Sequence, residues 1–95
     1  MMPLERGQII RYDIDRMTFE FTMIHKAKDQ ANIVKCKISS TAMDQLAGTK
    51  GTMPSEREAQ FSSLRDGIER IASDLFDKAV PNPVRVIHIF HHHIR

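Results

Sequence analysis

Between Ser55 and Ala79 the chain carries one unbroken amphipathic stretch, and that stretch limits what the rest can fold into. Phe61, Leu64, Ile68, Ile71, Ala72 and Leu75 recur at steps of three and four, which places them on one stripe of a helix. At roughly 1.5–3 kcal/mol for each large apolar side chain buried, such a stripe is worth about 10 kcal/mol gross. That is comparable to the net stability of an entire domain. The stripe therefore needs a partner surface, and the flanking segments have to supply it.

The helix has readable ends. Pro54-Ser55-Glu56-Arg57-Glu58 predicts a capping box, with Ser55 as the cap and Glu58 reaching back to its amide. Pro81-Asn82-Pro83 stops the helix, because proline has no N–H to donate and restricts the residue before it. Along the outer side Arg65 and Glu69, Asp66 and Arg70, and Asp74 and Lys78 are spaced four apart, the pattern of a solvated charged face.

The partner surface is predicted to be a small sheet. Met17, Phe19, Phe21 and Met23 alternate with Thr18, Glu20 and Thr22, and Val34, Cys36 and Ile38 alternate with Lys35 and Lys37. Each run reads as a strand with one buried and one wet face. The polar run Lys26–Asn32 between them reads as the loop of a hairpin. Ile10, Tyr12 and Ile14 suggest an extra edge strand over 8–14. Ser39-Ser40-Thr41, with Asp44 three residues after Thr41, opens a short helix that Gly48 closes. Gly48–Pro54 is a plain connector, since its glycines lack the spacing of a phosphate loop. Val84–Phe90 is rich in β-branched residues and apolar on both faces, so it reads as an interior strand or one that meets another subunit.

The expected fold is thus α+β: an antiparallel or mixed sheet in the order β-β-α-α-β, with a possible extra N-terminal strand, covered on one face by the long helix. At 95 residues there is room for a single domain. It divides into a loose leader (1–7), a core (8–90) and a His-rich tail (91–95). A 41% hydrophobic and 27% charged composition fits an ordinary folded protein, and a formal charge of +2 gives no argument for a polyanionic partner. No run has signal-peptide or membrane-span character. The lone Cys36, alternating inward, has no internal disulfide partner and reads as inert packing in a reduced compartment. The expected location is the cytoplasm, with no membrane association.

Order and motif together resemble a known family. The strand end Val34-Lys35-Cys36-Lys37-Ile38-Ser39, the short helix Ala42-Met43-Asp44-Gln45-Leu46 and the helix segment from Phe61 to Ala72 resemble the bacterial family of short proteins catalogued as domain of unknown function fourteen eighty-eight. The likeness spans roughly Met17 to Phe90. It implies a compact bacterial α/β domain without an assigned activity, and it carries over no catalytic residues.

Chemistry is sparse. His91 and His93 would share a strand face and could offer imidazole to zinc or nickel, but structural zinc takes four supported ligands, so no metal or other cofactor is expected. Lys26, Lys28, Lys35 and Lys37 would form a small basic patch able to touch phosphate. The periodic aromatics point to the core, however, which leaves none for base stacking. No Ser, His and acid come together by spacing, so no enzyme is expected. The function expected from sequence is a non-catalytic protein-interaction or structural module, its partner a second copy of the chain or another protein. The alternative is a nucleic-acid-binding accessory protein using the lysine patch. Ile24, Ile33, Ile87 and Ile89 are expected on the wet face of the sheet as a homodimer surface.

Overall fold

The computed structural model describes residues 4–27, 30–48, 52–78 and 86–90. Strands β1 (Glu5–Asp13), β2 (Thr18–Ala27) and β3 (Gln30–Ser39) run antiparallel as a meander. Helix α1 (Ser40–Ala47) follows directly, then a 3₁₀ turn (Pro54–Glu56) and helix α2 (Arg57–Lys78). Strand β4 (Val86–Ile89) returns parallel to β3, giving the sheet order β1-β2-β3-β4. The predicted α+β architecture with its optional N-terminal strand is the one observed.

The core lies between the sheet and α2. Phe19, Phe21 and Met23 of β2 share a face with Val34, Cys36 and Ile38 of β3, as the register Phe19↔Ile38, Phe21↔Cys36 and Met23↔Val34 requires. Phe61 from α2 stacks on Phe19 with ring centroids 4.5 Å apart and leans on Phe21 at 4.9 Å. Ile68, Ala72 and Phe76 continue that stripe, with Leu64, Ile71 and Leu75 partly buried beside it.

Several local expectations need correction. The polar run predicted as a hairpin loop is mostly strand, because β2 and β3 stay paired out to Ala27↔Gln30; an exposed hairpin end tolerates polar side chains. The leader is not loose over its whole length: β1 starts at Glu5, and Leu4 is buried with its amide donating to the Ser73 hydroxyl at 3.3 Å. Ser55 does not cap α2. The chain enters through the 3₁₀ turn, where Glu56 accepts from the Met53 amide at 3.2 Å. In α1 the cap is Ser39, the first of the predicted capping run, its hydroxyl accepting from the Ala42 amide at 3.1 Å, while Thr41 lies inside the helix and forms no box with Asp44. Gly48 ends that helix at φ 70°, a left-handed conformation that costs glycine little. Finally, β4 is an edge strand and not an interior one.

Candidate functional site: the uncovered sheet face and its β4 edge

Helix α2 covers one face of the sheet and leaves the other in water. Cross-strand rows define that second face. Thr22 sits opposite Lys35, which neighbours Val86; Glu20 sits opposite Lys37, which neighbours His88; Ile24 sits opposite Ile33. Its apolar members are concentrated on β3 and β4, where Ile33 is 70% exposed, Val86 39%, and Phe90, just past β4, 42%. His88 and Phe90 stack with ring centroids 5.8 Å apart, which fixes two flat side chains side by side next to Lys37.

Ile87 and Ile89 are not on this face. They are 3% and 0% exposed, because the pairing Cys36↔Ile87 and Ile38↔Ile89 turns them into the core. A run apolar on both faces carries no phase, so the two possible registers of Val84–Phe90 looked alike. Of the four isoleucines expected here, Ile33 is fully on the surface and Ile24 half-buried.

The lysine patch is smaller than its sequence suggests. Lys26 forms an ion pair with Glu5 at 3.3 Å, and Lys37 lies across from Glu20, so negative charge accompanies two of the four. Lys35 is exposed on the open face. Lys28, His91 and His93 lie outside the described residues. His25 leans on Phe76 of α2 at 4.8 Å while His88 stands on the opposite face, so these two imidazoles do not converge. Among the described residues no group of three or more His, Cys, Asp or Glu is placed to hold a metal.

The ionisable groups that do converge hold the fold together. Arg57, at the start of α2, is buried and donates to both carboxylate oxygens of Asp44 in α1, at 2.7 and 3.3 Å, and to Gln60 Oε1 at 2.6 Å. Gln60 and Thr52 add donors to Asp44 Oδ1 at 2.9 and 2.8 Å. The Arg57 guanidinium holds the Asp44 carboxyl down to about 2, assisted by those amide and hydroxyl donors. Arg57 also lies over the Tyr12 ring of β1, 5.6 Å from its centroid.

A second cluster ties β1 to α2. Arg6 donates to Asp66 at 2.7 Å and to Glu69 at 2.9–3.0 Å; Arg65 donates to Glu69 at 3.0 Å and to the Gly7 carbonyl at 3.1 Å. The charge run read as wholly solvated is therefore split: Arg65 and Glu69 are largely shielded, while Asp66 stays in water. The spacing of four predicted the Arg65–Glu69 pair but gave no sign that Arg6, 63 residues away from Glu69, would join it. Cys36 sits in the core, and burial pushes its thiol up to about 12, away from the reactive thiolate.

This arrangement is a four-stranded mixed sheet with one long helix on one face and, among the described residues, no element on the opposite face, an α+β type. A family model described as "Protein of unknown function (DUF1488)" matches residues 7–87, and the chain belongs to that family. It is also similar to a crystal structure of a protein of unknown function from the same family, from Shewanella loihica PV-4. The TM-score is 0.73 and the identity 17%, with 94% of this chain and 93% of that one covered. At that identity the likeness shows the shared fold. No curated protein matches.

Proposed function

We propose that this protein is a non-catalytic protein-interaction module of the bacterial cytosol, working through the bare sheet face and the β4 edge beside it. The observation that carries this reading is where the exposed apolar groups fall. Ile33, Val86 and Phe90 are exposed along the β3–β4 side of one face, with His88 stacked on Phe90, while the other exposed large apolar residues, Ile10, Ile14, Met17 and Met53, lie on β1 and in connecting segments. Exposed apolar groups gathered on one face mark interaction sites on small domains, and here they alternate with charge, Lys35 beside Val86 and Lys37 beside His88 with Glu20 opposite. The convergent ionisable groups support the same view, since Arg57 pairs with Asp44, and Arg6 and Arg65 with Glu69, within the fold. Among the described residues no helix is long and apolar enough to cross a membrane.

Affinity capture from a nuclease-treated bacterial lysate tests the reading. Wild-type protein is expected to retain a protein partner that is lost from the Ile33→Lys and Val86→Lys variants and kept by a variant of the exposed helix residue Glu58. Retention of DNA or RNA that falls steeply with salt, in place of a protein, would assign the face to phosphate contact through Lys35 and Lys37 instead.

A further inference from the structure

The two edges of the sheet are built differently. Strand β1 has two register breaks, between Arg6 and Ile9 and between Ile9 and Arg11, and carries Glu5, Arg6, Arg11 and Asp13. Bulges and charges of this kind prevent another strand from adding. Strand β4 has neither. Its register with β3 is continuous from Lys35↔Val86 to Ile38↔Ile89, its residues are Val86, Ile87, His88 and Ile89, and its outer side pairs with nothing among the described residues.

Resting on the interaction-module reading, we infer that the partner is a second copy of the chain, whose β4 adds antiparallel to this one about a two-fold axis at His88. The strand is self-complementary in that register. On the bare face Val86 meets Phe90 of the second copy and His88 meets its own symmetry mate; on the core face Ile87 meets Ile89. Every cross-strand pair other than the central one is apolar on apolar, which stabilises an antiparallel pair, and the isologous contact closes on itself as a dimer. Among the described residues, charge does not oppose it. The nearest lysines, Lys37 on the two β3 strands, end up three strand spacings apart, about 14 Å. That exceeds the roughly 8–10 Å screening length of physiological salt. The two sheets become one continuous sheet with both α2 helices on the same side, which carries the bare face across the junction. A contact of five residues per copy is smaller than the roughly 800 Å² per partner of a standard interface, so the dimer is expected to dissociate in the micromolar range.

Sedimentation equilibrium from 5 to about 500 µM, combined with cysteine cross-linking, tests this. Wild type is expected to shift from the 10.9 kDa monomer toward twice that mass. Val86→Lys and His88→Lys, both at exposed positions that leave the core intact, are expected to raise the dissociation constant at least tenfold. His88→Cys is expected to form a disulfide-linked dimer on mild oxidation, whereas Ile10→Cys on β1 stays monomeric. A wild-type monomer throughout, or a dimer that survives Val86→Lys and cross-links at Ile10→Cys, would overturn the inference. The broader reading fails separately, when capture yields no protein partner sensitive to the same face.

Discussion

Strands β1 and β4 close the same sheet at opposite ends, and they are held by different physics. β1 is fastened by specific polar geometry. Gly7 lies so close to β2 that a Cβ there would sit 2.4 Å from the Thr22 carbonyl oxygen, and the Thr22 hydroxyl fills the gap by accepting from the Gln8 amide at 2.8 Å. Arg6, Arg65 and Glu69 then pin the strand to α2, and Tyr12 lies under Arg57. β4 is fastened by apolar burial, with Ile87 and Ile89 in the core and hydrogen bonds to β3. The edge with elaborate polar fastening is closed to further strands, and the one without it is smooth enough to accept one. Function at an edge here follows from the lack of local irregularity.

Perturbations rank by how they act on that contrast. The largest effect should come from the anchor both edges share: Phe61→Ala removes the ring between Phe19 and Phe21 and is expected to cost about 3–5 kcal/mol in urea unfolding. Next is the clamp on the β1 side. Asp44→Ala strands the buried Arg57 charge and should cost about 2–4 kcal/mol, less than a fully buried pair because Asp44 keeps some solvent. This clamp also has a pH signature. The Asp44 carboxyl is lowered on folding to about 2, so the unfolded chain binds the proton more readily and stability rises with pH. The contribution is complete above the unfolded value near 3.9 and is lost as pH falls through about 2. Thermal melts between pH 4 and 2 should therefore fall less steeply for Asp44→Asn than for wild type.

Gly7→Ala is smaller again. Its methyl meets backbone that no rotamer can move, so a loss of about 1–3 kcal/mol is expected, together with faster amide exchange confined to β1 and its contacts. The smallest effect on folding belongs to Val86→Lys, within about 0.5 kcal/mol of wild type by chemical denaturation. That same substitution is the one expected to weaken self-association at least tenfold, so stability and assembly separate at the open edge.

The sequence carried the sheet-and-helix plan because it rests on periodicity. The stripe from Phe61 to Leu75 and the alternations Phe19–Met23 and Val34–Ile38 each have a definite phase, and each went to the core as that phase demands, whereas Met17, expected to continue the first of them, lies in the turn before β2 at φ 53° and is exposed. Where phase was missing, the reading failed. Ile87 and Ile89 come from a run apolar on both sides, so only the pairing with Cys36 and Ile38 decides which face they take. The ion pairs that fasten the fold likewise join segments far apart in the chain. Lys26 meets Glu5, Arg6 meets Glu69, and Arg57 meets Asp44, none of which local spacing encodes. Nothing local in the sequence marks the constraint at Gly7, which is the approach of Thr22 from the next strand.

The contrast between the edges is tested most directly by amide hydrogen exchange measured at several protein concentrations. The account predicts that the outward-pointing amides of Val86–Ile89 slow as concentration rises from about 10 to about 500 µM, while those of Glu5–Asp13 exchange at unchanged rates. Exchange in β4 that is independent of concentration, or slowing that appears at β1 instead, would contradict it.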